Sequence, residues 1–416
     1  MPPPRTHTPP VRRITTSLLG LLLAACAFTP AAPSVGAPPS VPAPPPASPA
    51  ASDEPTPAST GRPLPSQLPG LARLEPQDGA YFGVNLDWGN DTAEAVSERL
   101  GVTPAVWVQF VAFPLDAGAR ANLDAFVDQV AEVRGVALIT LEPNDGLASV
   151  SDDAIAELAQ ALRDYTERGV PVLVRFAHEM NGSWYAWGQQ PDAYVDAFRR
   201  VAEAVHDIPG AAMIWAPNYG AGYPFIGGRY EATPDTPEFA ALDTDADGAL
   251  TERDDPYAPY YPGDDAVDWV GMSLYHWGNA HPWGENEVPE EGAFVERLTG
   301  TYHGVNGDET AVPDFYADYA DGHDKPMAIT ETAAFWDPAG ADPPTEEEIK
   351  ATWFRQVFST DVRARFPRLR MINWFEWRKD EPEVGTVIDW RLSDDPVLAQ
   401  SLLGELPAGW LRFGDE

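Results

Sequence analysis

Eight short apolar runs, several of them separated by helical patterns, restrict this chain more than any other feature. They fall at residues 81–87, 105–110, 136–141, 172–179, 212–218, 269–275, 327–331 and 369–374. Between the third and fourth, Ile155, Leu158, Leu162 and Tyr165 recur at steps of three and four, with Ser151 before them and Gly169 after. That spacing predicts a helix with a serine N-cap. Pro191 opens a second helical pattern carrying Tyr194, Phe198 and Val201, and a third runs from Thr345 to about Val362. Strand and helix in regular alternation imply parallel pairing through right-handed crossovers. Eight such units favour a closed (β/α)8 TIM barrel, an α/β fold, over an open doubly wound sheet. No G-x-G-x-x-G follows the first run, which also weighs against a dinucleotide fold.

The barrel is expected to fill residues 70–416, behind two segments of another kind. Arg5, Arg12 and Arg13 precede an apolar stretch at 18–25 that is too short for a permanent bilayer span and reads as a signal peptide. It ends Leu23-Ala24-Ala25-Cys26, which is similar to a bacterial lipobox, and Cys26 is the one cysteine of the chain. Residues 1–26 are therefore expected to be a lipoprotein leader. Residues 27–69, rich in Pro, Ala and Ser, are expected to be a disordered spacer with an extended reach on the order of 130 Å. The expected location is the cell surface or an extracytoplasmic membrane face, with contact to the membrane only through the lipid. A net charge of −37 argues against nucleic acid and anionic membranes as partners. The barrel is expected to be a monomer.

In such barrels, chemistry sits where the strands end. The fourth run leaves its strand through Arg175-Phe176-Ala177-His178-Glu179-Met180-Asn181-Gly182-Ser183-Trp184-Tyr185-Ala186-Trp187-Gly188. A zinc-protease motif would need a histidine where Gly182 stands. Pairing of Glu179 with Arg175 is disfavoured, since four residues of strand put them about 13 Å apart. The seventh run ends on Glu331, followed by Thr332-Ala333-Ala334-Phe335-Trp336. Two carboxylates on facing strands, in aromatic surroundings, suit glycosidic cleavage: one protonates the leaving oxygen, the other attacks the anomeric carbon or activates water. Six tryptophans fall near strand ends, namely Trp88, Trp107, Trp187, Trp277, Trp283 and Trp336. Trp107, inside an apolar run, reads as packing. Trp184, Trp187, Trp277 and Trp336 read as a cleft rim, because sugar rings stack their C–H faces on aromatic faces.

The stretch R-F-A-H-E-M-N-G-S-W-Y-A-W-G from Arg175 to Gly188 resembles the strand-four motif of glycoside hydrolase family 26. The resemblance implies a (β/α)8 barrel, no cofactor for the chemistry, and a polysaccharide substrate cut internally with retention of configuration. β-1,4-Mannan or glucomannan is the expected polymer, with mixed-linkage β-glucan or xylan as alternatives. By the same resemblance Glu179 matches the acid/base, Glu331 the nucleophile and His178 the preceding histidine. Tyr275 matches the tyrosine that bonds the nucleophile, Trp374 the tryptophan beneath the reacting sugar, and Trp184 a cleft residue. Asn218 and Trp277 complete the expected substrate contacts. Glu376 is a rival nucleophile, otherwise read as a salt bridge to Arg378 or Lys379.

A departure from that pattern lies between the fifth and sixth runs. Residues 243–254 read D-T-D-A-D-G-A-L-T-E-R-D, an EF-hand-like loop with aspartate at the twelfth position. Asp243, Asp245, Asp247, the Ala249 carbonyl and Asp254 are expected to hold a structural Ca²⁺. A second functional class is a binding protein that grips polysaccharide without cutting it, though such a protein needs no paired acid and nucleophile. A metalloenzyme is weaker still, since His178 has no second histidine at ligand spacing.

Overall fold

The computed structural model describes residues 74–279, 284–305, 307–341 and 343–414. The leader, Cys26, the spacer and Trp283 lie outside the described residues. Eight parallel strands form the barrel: β1 (Ala80–Leu86), β2 (Val106–Ala112), β3 (Val136–Glu142), β4 (Val172–Phe176), β5 (Ala211–Trp215), β6 (Trp269–Ser273), β7 (Met327–Thr332) and β8 (Leu369–Glu376). Each pairs with the next, and β1 pairs with β8 to close the ring. The expected (β/α)8 barrel is the fold. A short strand β11 (Leu411–Arg412) adds to β1, and a hairpin of β9 (Arg378–Glu381) and β10 (Thr386–Asp389) follows β8.

The connecting helices form as their sequences dictate. In α3 (Asp152–Glu167), Ser151 accepts from the Ala154 N–H, and Ile155, Leu158, Leu162 and Tyr165 are buried. Pro191 starts α4 (Pro191–His206), whose inner face includes Tyr194, Phe198 and Val201. The expected helix from Thr345 is two helices, α7 (Glu346–Val357) and α8 (Thr360–Arg365). The break follows from capping: Ser359 adopts an extended conformation and accepts from the Val362 N–H, which starts a new helix. Among the described residues, no helix is long and apolar enough to cross a membrane.

Two apolar layers separate the inside of the barrel from its shell. Val106, Val108, Leu138, Leu173, Ala212, Ile214, Trp269, Ala328 and Met371 fill the interior. Residues of the opposite parity, such as Trp107, Ile139 and Val174, pack outward against the helices. Trp107 is packing, as expected. Further along the strands the interior turns polar, with buried Asn85, Thr140, Arg175, Ser273 and Asn373. That polar layer is the floor of the site.

The same alternation corrects the assignment of Trp374. Asn373 points inward, so Trp374 points outward; it is fully buried, near Phe354 of α7 and donating to the Trp390 carbonyl at 3.1 Å. It cannot stack beneath a sugar. Glu376 shares that outward parity, and its carboxylate accepts from the Leu392 and Ser393 N–H groups and the Ser393 hydroxyl. It is neither nucleophile nor partner of Arg378 or Lys379; it secures the loop after β10. Trp374→Ala should destabilise the fold by about 3–5 kcal/mol through the cavity it leaves, which denaturant melts would measure.

Candidate active site

The end of β4 bends sharply. Ala177 and Glu179 both take left-handed backbone conformations, with φ of 46° and 53°. Non-glycine residues rarely sit there, and such strain concentrates at functional positions. The bend is held by hydrogen bonds from Ala177 N–H to the Leu141 carbonyl at 2.9 Å and from Glu179 N–H to the Ala216 carbonyl at 3.0 Å. It brings Glu179 to the barrel mouth. Gly182 then lets Trp184 fold back, since a Cβ there would meet the Trp184 ring at 2.3 Å. Trp184 Nε1 donates to Glu179 Oε2 at 3.2 Å.

Across the barrel, β7 delivers Glu331 into a nest of donors. Arg175, wholly buried, forms an ion pair with Glu331. The Tyr275 hydroxyl donates to Glu331 Oε2 at 2.7 Å, as expected for this tyrosine. Ser273 sits between, accepting from Arg175 at 2.8 Å. Arg175 thus serves the second glutamate, not the first. An oxygen of Glu179, an oxygen of Glu331 and a ring nitrogen of His178 all lie within 4.8 Å of one another.

Burial raises the Glu179 carboxyl to about 7, helped by the nearby Glu331 charge and opposed by Arg175. Burial, with Arg175 adding to it, holds His178 well below its usual range, so its ring is neutral near pH 7. His178 Nε2 lies 3.2 Å from the Tyr185 hydroxyl, and Phe110 meets the ring edge-on. Trp187, expected on the rim, is fully buried instead. It donates to the His178 carbonyl at 2.7 Å and stacks on Tyr185 at 4.3 Å. Trp88 likewise packs on Trp107 and Phe126 rather than lining the mouth. Trp277 and Trp336 remain partly exposed. Asn218 is partly exposed above Ser273, its backbone pinned by the Asn181 side chain at 2.8 and 2.9 Å.

Four groups at this site escaped the sequence reading. Arg175 and Ser273 make the floor. Phe375, on the inward parity that Trp374 lacks, meets the Tyr275 ring edge-on and stacks against Trp377 at 5.8 Å. Glu142 ends β3 at the same mouth, and burial lifts its carboxyl to about 7, with the Glu331 charge contributing.

The acidic loop is only partly as expected. Asp243, Asp245 and Asp247 bring carboxylate oxygens within 4.8 Å of one another. Arg253 reaches Asp247 at 2.8 Å and Asp245 at 3.8 Å. Asp254, expected as a ligand, turns inward: it is buried and accepts from the Thr244 and Thr251 N–H groups at 2.7 and 2.8 Å. Ala249 donates its N–H to Asp247 at 2.9 Å.

The family model described as glycosyl hydrolase family 26 matches residues 138–225, the stretch from β3 past the end of β5. The chain resembles that family. Endoglucanase H of Acetivibrio thermocellus is 22% identical over 299 residues, covering 68% of this chain and 26% of the relative. A β-1,3-xylanase of a Vibrio species is 25% identical over 214 residues, 49% of this chain and 39% of the relative. The chain therefore spans well under half the length of these curated relatives. Among solved structures, a Cellulomonas fimi endo-β-1,4-mannanase double mutant is 20% identical with a TM-score of 0.49, covering 81% of this chain and 73% of that one. The catalytic domain of a Bacillus sp. JAMB-750 endo-β-1,4-mannanase is 17% identical with a TM-score of 0.48, covering 81% and 88%.

The raised Glu179 carboxyl has a consequence for stability. The folded state binds this proton more tightly than the unfolded chain, so stability falls as pH rises from the ordinary carboxyl range towards 7. Glu179→Gln should leave the melting temperature unchanged near pH 4.5 and raise it by roughly 2–6 °C at pH 8, in a pH series of thermal melts.

Proposed function

We propose that this protein is a retaining, endo-acting β-glycosidase, with Glu179 as acid/base and Glu331 as nucleophile. The observation that carries the reading is the spacing of the two carboxyls, with oxygens within 4.8 Å. Double displacement needs carboxyls about 5–5.5 Å apart, whereas inversion needs about 6.5–9.5 Å to seat a water. In the first step a Glu331 oxygen bonds to the anomeric carbon while the glycosidic C–O bond breaks. The Glu179 proton goes to the leaving oxygen. In the second step Glu179 takes a proton from water, the water oxygen bonds to the anomeric carbon, and the ester to Glu331 breaks. The raised Glu179 carboxyl suits the first role, since it must hold a proton near neutral pH. Arg175 and the Tyr275 hydroxyl suit the second, because both support negative charge on Glu331 as it is released.

β-1,4-Mannan or glucomannan is the proposed polymer, on the strength of the family resemblance. A second reading, β-glucan or xylan, draws support from the names of the endoglucanase and the β-1,3-xylanase. His178, Asn218, Trp184 and Trp277 are the proposed sugar contacts, joined by Phe375 and Trp377 in place of Trp374. A lipid anchor at Cys26, carried on the 27–69 spacer, is the proposed attachment to the cell surface. Release of reducing ends should be measured on glucomannan, galactomannan, barley β-glucan, β-1,4-xylan and β-1,3-xylan. Mannan or glucomannan should be cut fastest, with kcat/KM falling above pH 7; faster cleavage of a glucan or a xylan favours the second reading. Glu331→Ala should lose at least about 10³-fold in kcat, and azide should restore turnover with the opposite anomeric product by NMR. Inverted product from the wild type would overturn the assignment of roles.

We also propose that Asp243, Asp245, Asp247 and the Ala249 carbonyl hold a structural Ca²⁺, without Asp254. Three carboxylates this close repel one another, and a cation relieves that more fully than Arg253. EDTA should lower the melting temperature by several degrees, and added Ca²⁺ should restore it. No response to EDTA or Ca²⁺ would leave Arg253 as the counter-charge of the loop among the described residues.

A further inference from the structure

The mouth of the barrel holds a third carboxyl that the two-carboxylate mechanism does not use. Along β3, Leu138, Thr140 and Glu142 share one face by the two-residue period of a strand. Leu138 lies in the apolar interior and Thr140 is buried in the polar layer, so Glu142 tops the same inward column. Its register confirms the level: Thr140 stands opposite Arg175 on β4, and Glu142 opposite Ala112 on β2. Glu142 is partly exposed, where a ligand entering the mouth can reach it.

We propose that Glu142 is a substrate-contacting residue that hydrogen-bonds a hydroxyl of a sugar bound at the barrel mouth. This rests on the glycosidase reading above. The charges of Glu331, Arg175 and Glu179 all act on the Glu142 carboxyl, which places it at the mouth with the carboxyl pair. Lys379, from the hairpin after β8, also acts on the Glu142 carboxyl and lies 5.4 Å from the centre of the Phe375 ring. An aromatic face at Phe375 and a polar group at Glu142 make a pair suited to a sugar, one for a C–H face and one for a hydroxyl.

The chemistry of the contact is unusual for a glutamate. Burial and the Glu331 charge lift its carboxyl to about 7, so near neutral pH it carries a proton in a large share of molecules. The neutral acid both donates and accepts, as a sugar hydroxyl does, and it adds no further negative charge beside Glu331. Glutamine preserves both capacities, and alanine preserves neither.

The test measures Glu142→Ala and Glu142→Gln against wild type on the polymer that wild type cuts fastest. In parallel, calorimetry follows mannohexaose and cellohexaose binding to Glu331→Ala with and without Glu142→Ala. Circular dichroism and thermal melts confirm that each variant folds. Glu142→Ala is expected to lower kcat/KM at pH 6 by at least about tenfold and to weaken hexaose binding by a similar factor. Glu142→Gln is expected to recover most of both. Folded Glu142→Ala with kcat/KM and hexaose affinity within twofold of the parent would overturn the proposal. So would a shift in the pH profile alone, which would mark Glu142 as acting only through the charge of its neighbours. If wild type cuts none of the polymers, the glycosidase reading fails by itself, and the hexaose titrations still decide whether Glu142 touches sugar. Absence of hexaose binding to Glu331→Ala, with no polymer cut, would overturn both.

Discussion

Everything at this barrel mouth is arranged around the buried pairing of Arg175 with Glu331. A guanidinium with no exposed surface is expensive to desolvate, and it is tolerated only with its charge matched. Here the match is a carboxylate from the opposite side of the ring, with the Ser273 hydroxyl taking a second N–H. The pairing needs a closed barrel, because β4 and β7 are not neighbours in the sheet. It also explains the polar layer above an otherwise apolar interior. Three carboxyls, Glu142, Glu179 and Glu331, converge on one guanidinium. One positive charge cannot serve all three, and the two that it does not pair with hold their protons more tightly. The contrast between the one paired carboxylate and the two raised carboxyls is thus a consequence of where Arg175 points.

The second dependence is on backbone. Glu179 is aimed by a chain that departs from strand geometry two residues earlier, at Ala177. The loop beyond β5 braces the turn from outside: Ser183 donates to the Phe225 carbonyl at 2.5 Å, and Gln189 reaches the Pro224 carbonyl at 2.7 Å. Trp184 packs edge-on to Phe225 while its indole N–H faces Glu179. The aromatic residues of the motif are therefore split in role. Trp184 meets the Glu179 carboxyl directly, and Trp187 holds the chain that carries it.

The barrel was legible because each strand is apolar on both faces, inside the ring and beneath the helices, so that eight runs stand out from the helical stretches between them. Their ends were less legible. The fourth run continues as far as Glu179 in sequence, yet the strand stops at Phe176, since apolar composition carries no sign of a left-handed turn. Glu179 and Glu331 were readable as strand-end residues of the right chemistry, and Tyr275 through the family resemblance. Arg175 and Ser273 were readable only through the two-residue period, which places them inward. The same period, applied to β8, separates Phe375 from Trp374 and Glu376. There the family pattern drew attention to a tryptophan whose parity points it at α7. Glu142 was overlooked because nothing nearby marks it: the chain Leu138, Thr140, Glu142 is its whole signal. Asp254 failed for a different reason. Spacing identifies a position in an EF-hand-like loop, but it does not say whether that carboxylate turns to an ion or to the loop's own N–H groups.

On the proposed function, bond breaking and substrate choice draw on different groups, and the physics of each differs. The groups assigned to bond breaking sit on strand ends, or one turn beyond, and are fixed by a shared network whose members cannot move independently. Removing Tyr275 or Ser273 changes the surroundings of Glu331 immediately. The groups available to read a sugar, by contrast, come from separate loops: Trp184 after β4, Asn218 after β5, Trp277 after β6, Trp377 after β8. The β4 and β5 loops are tied together, since Asn181 pins Asn218 and Trp184 packs on Phe225, while Trp277 packs near Phe335 and Trp390 and Trp377 stacks on Phe375. Of these groups Trp184 donates to Glu179 directly, so a change there also alters the surroundings of the carboxyl pair. A contact inside the polar network is the more demanding kind. Glu142 shares its field with Glu331 and Arg175, so a hydroxyl that it accepts must suit the charge balance of the reaction as well as the shape of the cleft. A missing or misplaced hydroxyl there would leave a buried polar group unpaired, and such losses discriminate between substrates far more strongly than a change in apolar contact.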